Sequence, residues 1–220
     1  MFPSTPAGAV FFDVDGTLVP GTSTSLFLAG FLGHRDELAK AEDAYAAGAM
    51  DNRQVSELDA AGWAGVSEEQ VSGWLDGLPL VAGIEETVDW CRRNGLVPVL
   101  ATLAWSAVGG FLMDRFGFQG FCGPRLATDR GRFTGRVARH FDEHDKRDFA
   151  LTRARELGLA PRSCGAVGDS RSDLPLFASV GVSVAFNASA GARAAATVAV
   201  DDEDLRSVLP ALNRLVTAGR

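Results

Sequence analysis

Residues 10–19, VFFDVDGTLV, carry an apolar run that stops abruptly in two aspartates, a glycine and a threonine. An apolar run without alternation reads as a strand buried on both faces of a parallel sheet. In open α/β sheets ligand chemistry gathers at the carboxyl ends of the strands, which is where Asp13 and Asp15 fall. One residue separates the two acids, so both can converge on one site as the strand opens into a loop. Carboxylates held that close repel unless a cation or a shared proton relieves them. Mg²⁺, a hard divalent ion that takes oxygen ligands, suits such a pair. Gly16 lets the backbone turn, and Thr17 offers a hydroxyl for local hydrogen bonds. An Asp-x-Asp-Gly segment can equally be an ordinary turn, so a site requires partners elsewhere in the chain.

After Val19, Pro20 and Gly21 break the pattern, and Thr22 or Ser23 is placed to cap a helix carrying Leu26, Phe27, Phe31 and Leu32. Further helical windows span 35–47 and 52–61, and a fourth begins at Ser67, three residues before Gln70, the spacing of a capping box. None has the β-branched density of a strand. Residues 20–78 therefore read as an inserted all-α cap, a helical bundle, with 1–19 and 79–220 forming an α/β core.

The core pattern runs as a helix over 84–93, a strand over 96–101 ending at Thr102, a helix over 106–116 and a hairpin within 126–137. A helix of about a dozen residues follows Asp145, with Lys146 in its first turn, and a strand over 164–167 runs into Gly168-Asp169-Ser170-Arg171-Ser172-Asp173. A strand over 182–186, a short helix over 190–195, an edge strand over 197–200 and a helix from Asp204 complete the chain. This alternation predicts an α/β fold, a Rossmann-like parallel sheet with helices on both faces.

A chain of 220 residues can bury a good core. Its formal net charge of −7 argues against nucleic acid as a partner, since phosphate backbones demand clustered Lys and Arg. Cys91, Cys122 and Cys164 are too few and too scattered for a disulfide framework or a zinc cluster, which fits a reducing cytoplasm. His34, His140 and His144 form no metal-ligand set. No signal peptide and no membrane span are expected, and either a monomer or a homodimer fits.

Asp13 with Asp15, Thr102, Lys146, and Asp169 with Asp173 thus fall at strand ends or a helix start. In that order, on DVDGT, VLAT, a lone lysine and GDSRSD, they resemble the haloacid dehalogenase superfamily, in its phosphoserine-phosphatase-like branch with a helical cap after the first motif. The resemblance covers the chain from Val10 to about Ala211. It implies that Asp13 attacks phosphorus to form an aspartyl-phosphate and that Asp15 serves as general acid, then general base. It implies Mg²⁺ held by Asp13, the Asp15 carbonyl and Asp169, with Asp173 fixing a metal water or orienting Lys146. Thr102, Leu103 and neighbouring N–H groups would bind the phosphoryl oxygens, and Lys146 would neutralise charge.

Two features depart from that branch. Thr22 falls where a substrate-gripping acid is usual, and an ungapped match puts Asp59 at the position of a substrate-gripping arginine. Leu103 and Ala104 replace small glycines. The expectation is a phosphatase acting on a small phosphorylated metabolite, a sugar, polyol or secondary-metabolite phosphate rather than phosphoserine, with Thr22, Asn52, Asp59 and Trp105 as candidate substrate contacts. Alternatives are phosphoserine itself, a phosphotransferase or phosphomutase, and a non-catalytic phosphate-binding relative, although the last would be expected to lack Asp13, Asp15 or Lys146.

Overall fold

Every residue of β1 (Gly8–Phe12) is buried, as a strand apolar on both faces requires. In this computed structural model, which describes residues 6–218, β1 lies inside a six-stranded parallel sheet. Its neighbours are β2 (Leu96–Ala101) and β6 (Cys164–Gly168). Beyond β2 lies β3 (Phe121–Cys122), a two-residue edge strand too short to leave a pattern in the sequence. Beyond β6 come β7 (Val182–Phe186) and the edge strand β8 (Val198–Val200). Phe12 is in register with Leu100 on β2 and with Val167 on β6, so Asp13, Thr102 and Asp169 all emerge at the same carboxyl edge.

Four helices follow β1: α1 (Thr24–Leu32), α2 (Arg35–Ala46), α3 (Asn52–Gly62) and α4 (Glu68–Leu75). Short polar residues start three of them. Ser23 caps α1, and Asp51 with Gln54 and Ser67 with Gln70 form capping boxes at α3 and α4. This inserted helical cap sits over the sheet edge that carries the acids.

Adjacent β1 residues serve two different cores. Val10 and Phe12 pack with Ile84 and Val88 of α5 (Ile84–Arg93), Leu112 of α6 (Ser106–Phe116) and Leu212 of α10 (Leu209–Ala218). On the opposite face, Ala9 and Phe11 pack with Ala150 and Ala154 of α7 (Glu143–Glu156), Phe177 of α8 (Leu174–Phe177) and Ala192 of α9 (Ala190–Ala195). All three cysteines are buried and free, as their spacing suggested.

Three boundaries move. Helix α7 begins at Glu143 because Asp142, not Asp145, is its N-cap, and the two acids form the capping box. The C-terminal helix expected from Asp204 divides into a 3-10 turn over Leu205–Val208 and then α10. The hairpin is longer than 126–137: β4 (Arg125–Asp129) and β5 (Arg132–Arg139) join through Arg130 and Gly131, whose φ angles of 48° and 75° fit a primed turn. This hairpin packs on the cap. Phe133 exchanges backbone hydrogen bonds with Gly65 and Val66, and its ring meets Trp63 edge-on with centroids 5.1 Å apart.

Candidate active site

Lys146 is the centre of the charged cluster. Its side chain is completely buried, with Nζ 2.8 Å from Asp13 Oδ1 and 2.7 Å from Asp173 Oδ1. Burial works against its charge, but the two carboxylates outweigh that effect and hold the ammonium well above the ordinary lysine range. The other oxygen of Asp173 accepts the backbone N–H groups of Asp169 and Ser170 at 3.0 and 3.1 Å. Both oxygens of Asp173 are therefore engaged, and it orients Lys146 and the motif loop.

Asp13, Asp169 and Asp173 bring carboxylate oxygens within 4.8 Å of one another. Asp169 Oδ1 is buried with no hydrogen-bond partner among the described residues. Burial, then the neighbouring Asp13 and Asp173, push the Asp169 carboxyl up to about 9. Burial likewise takes Asp13 up to about 7, against the pull of Lys146. One lysine cannot neutralise three clustered acids, two of them buried and Asp169 half-buried, and an orphaned oxygen with no nitrogen or sulfur donor in the group suits a hard divalent cation. Gly16 makes room for this arrangement: its φ is +79°, and a Cβ there would lie 2.2 Å from Asp169 Oδ2.

Asp15 turns away from this cluster toward the cap. Its Oδ1 accepts the N–H of Thr24, the first residue of α1, at 2.6 Å, and burial raises its carboxyl despite that bond. Thr102 is fully buried at the end of β2, where its Oγ1 accepts the N–H of Ala104 at 3.0 Å and shapes the loop. Leu103 is half-buried beside it.

The cap candidates are placed differently from their expected roles as free contacts. Asp59, only 2% exposed, receives three N–H groups: His34 Nε2 at 2.7 Å and Trp63 Nε1 at 3.1 Å on Oδ1, and Trp105 Nε1 at 2.7 Å on Oδ2. It thereby ties the cap to the loop after β2. Gly62 clears the space, since a Cβ there would sit 2.1 Å from His34 Nδ1. Trp105 is buried with its N–H engaged. Asn52 donates its amide to the Phe141 carbonyl across the seam, and the Thr22 hydroxyl donates to the neighbouring Ser23 carbonyl.

Two further polar residues of α2 are held by neighbours of the motif residues. Glu42 Oε1 accepts the Ser23 hydroxyl at 2.6 Å, and burial together with nearby Asp15 and Asp59 takes its carboxyl up to about 7 against that bond. The Tyr45 hydroxyl is buried without a partner among the described residues, and burial, followed by Glu143, raises the phenol against the pull of Arg171. Arg171 stacks its guanidinium 4.4 Å from the Tyr45 ring centroid and donates to the Tyr45 carbonyl at 2.6 Å. The i, i+3 spacing of Glu42 and Tyr45 could have flagged a shared helix face, but nothing local marks which face meets the site. A cleft of about 1190 Å³ runs beside Trp105 and Phe141, between α4, α6 and the hairpin, and its lining does not include Asp13, Asp15, Asp169 or Asp173.

Comparison with known proteins places this geometry. Residues 10–178 match the family of haloacid dehalogenase-like hydrolases. The chain is 28% identical to the phosphoserine phosphatase of Albidiferax ferrireducens, over 91% of this chain and 87% of that protein. It is 29% identical to the phosphoserine phosphatase of Streptomyces coelicolor, over 91% of this chain but 49% of that longer protein. In fold it superposes on a phospho-aspartyl intermediate analogue of phosphoserine phosphatase with a TM-score of 0.83 at 23% identity, covering 92% of this chain and 97% of that one. A HAD family hydrolase from Salmonella enterica serovar Typhi gives 0.86 at 16% identity, over 94% and 72%. The motif order, the parallel sheet with its helical cap and the match over most of the chain together make this protein a member of the haloacid dehalogenase-like hydrolases, in the phosphoserine-phosphatase-like branch.

Proposed function

We propose that this protein is a Mg²⁺-dependent phosphatase that hydrolyses a small phosphorylated metabolite other than phosphoserine. The chemistry is carried by one observation: a buried lysine bridging Asp13 and Asp173 beside an unpartnered oxygen of Asp169. The Asp13 carboxylate attacks phosphorus in line, forming a new P–O bond as the bond to the leaving alcohol breaks. Asp15 gives that alcohol its proton, then takes one from the water that hydrolyses the aspartyl-phosphate. Lys146 holds Asp13 in position and balances charge on the phosphoryl oxygens, which Thr102, Leu103 and the adjoining backbone N–H groups receive. Mg²⁺ held by Asp13, the Asp15 carbonyl and Asp169 would supply the positive charge that lets one anion approach another.

The substrate assignment is supported by Asp59. The side chain at the position expected for a substrate-gripping arginine is an acid, already filled by three N–H donors. The relatives' names support phosphoserine as the second reading. A phosphate-release panel with Mg²⁺ separates the two. Turnover of sugar or polyol phosphates well above phosphoserine is expected, whereas phosphoserine turning over best, with sugar phosphates inert, would overturn the substrate assignment. Asp13→Asn should abolish turnover with the fold intact, and appearance of free phosphate rather than a phosphorylated acceptor excludes a phosphotransferase. None of the described helices is long and apolar enough to cross a membrane.

A further inference from the structure

We propose that Glu42 and Tyr45, three residues apart on α2, select the leaving group, and that this group carries a hydroxyl or ammonium donor and no carboxylate. This rests on the phosphatase assignment above and specifies the substrate of the same site.

The placement comes from α1. Ser23 caps that helix and donates its hydroxyl to Glu42 at 2.6 Å, while the next residue, Thr24, donates its N–H to Asp15 at 2.6 Å. Asp15, which protonates the leaving oxygen, and Glu42 are thus tied to the same helix start. Whatever is attached to that oxygen extends toward α2. Glu42 Oε2 receives no protein hydrogen bond among the described residues, so it is the acceptor a donor on the leaving group would meet.

Tyr45 makes the second contact. Its hydroxyl is out of water and without a partner among the described residues, which is unfavourable unless a ligand satisfies it. Arg171 holds the ring by stacking and by its bond to the Tyr45 carbonyl, so Tyr45 is fixed beside the loop that carries Asp169 and Asp173.

The charges around this space exclude a carboxylate. Burial, and then the nearby acids Asp15 and Asp59, raise the Glu42 carboxyl. The nearby cations are engaged: Lys146 with Asp13 and Asp173, Arg171 with Glu143 and the Tyr45 carbonyl. Asp59 accepts from His34 and from both indoles. A substrate carboxylate beside Glu42 would be desolvated with no counter-charge, whereas a hydroxyl or ammonium finds an acceptor.

Two matched ester pairs test this with the Mg²⁺-loaded protein: O-phosphoethanolamine against O-phosphoserine, and glycerol 3-phosphate against 3-phosphoglycerate. In each pair only the second carries a carboxylate, and p-nitrophenyl phosphate is the common reference. The carboxylate-free ester should show at least tenfold higher kcat/KM in each pair, and the better of the two tells ammonium from hydroxyl. Glu42→Gln should reduce that discrimination tenfold or more, chiefly through KM, and Glu42→Lys should move it toward the carboxylates. Equal or reversed preference in the wild type overturns the proposal whether or not the variants fold. So does turnover of p-nitrophenyl phosphate with neither carboxylate-free ester hydrolysed, or a Glu42→Gln protein whose ratios are unchanged. Absence of phosphate release from every ester, p-nitrophenyl phosphate included, refutes the phosphatase assignment itself, and this proposal with it.

Discussion

Replacing Asp59 by alanine should destabilise the protein far more than a typical substitution. In the native protein this carboxylate satisfies His34, Trp63 and Trp105, and the two indole N–H groups are buried. The His34 side chain keeps 11% of its surface exposed and can turn toward water. The indoles belong to side chains only 0% and 3% exposed, so their N–H groups stay stranded in the interior. A buried donor left unsatisfied costs about 1–3 kcal/mol, so two of them, together with the small void left by the carboxylate, amount to about 3–5 kcal/mol. That is a large part of the roughly 5–15 kcal/mol that holds a domain folded. Asp59→Asn keeps one acceptor but turns its amide nitrogen toward a donor, so its loss should be intermediate, about 1.5–3 kcal/mol. Guanidinium unfolding followed by tryptophan fluorescence and by circular dichroism measures both, and hydrogen exchange at the indole N–H groups reports the bonds directly. A loss below about 1 kcal/mol for Asp59→Ala, or unprotected indoles in the wild type, would refute the role given to Asp59. Asp59→Arg should gain no phosphoserine activity, because a guanidinium would set donors against donors.

Three more outcomes follow from the buried charges. The Glu42 carboxyl titrates near 7 when folded against 4.5 otherwise, so its share of stability is complete below about pH 4.5 and is lost as pH rises through 7. That share is at most roughly 2–3 kcal/mol, and melting of wild type and Glu42→Gln at pH 5 and pH 8 should show a decline that the glutamine protein lacks. Lys146→Met leaves Asp13 and Asp173 buried without their shared cation, which should cost about 3–5 kcal/mol in thermal unfolding and about 10²–10³ in kcat; an unchanged melt would contradict the bridge. Adding Mg²⁺ should raise the melting temperature of the wild type and do so far less in Asp169→Asn, with equal shifts in the two proteins counting against Asp169 as a ligand.

The apolar strand and the GDSRSD loop were legible because each is written locally: a buried strand needs a continuous apolar run, and the chemistry sits where that run ends. The helix cap at Ser67 was legible for the same reason, since Ser and Gln three apart satisfy backbone groups within one turn. Asp142 escaped notice because two acids three residues apart both look like helix starts, and only the backbone shows which one caps. β3 escaped because two residues carry no period. The hairpin's attachment to the cap rests on Phe133 meeting Trp63 and on backbone bonds to Gly65 and Val66, contacts between segments some 70 residues apart.

By itself, the sequence determined the fold class, the order of the motifs and the set of residues that meet at the carboxyl edge of the sheet. The fold class follows from periodicity, which depends on near neighbours alone, and the site set from strand-end carboxylates together with the resemblance of the ordered motifs to a known superfamily. Only the tertiary structure decided that Asp59 is a structural acceptor, that Trp105 is sealed by it, that Glu42 bonds the Ser23 cap of α1 and that Tyr45 stacks on Arg171. Asp59 meets Trp105 across 46 positions and Arg171 meets Tyr45 across 126. Such encounters depend on how α2 and α3 are rotated when the cap docks, and many polar residues along those helices could have faced the site with the same local pattern. Catalytic groups recur at fixed places because the sheet sets them, whereas substrate contacts are fixed by the packing of one element on another.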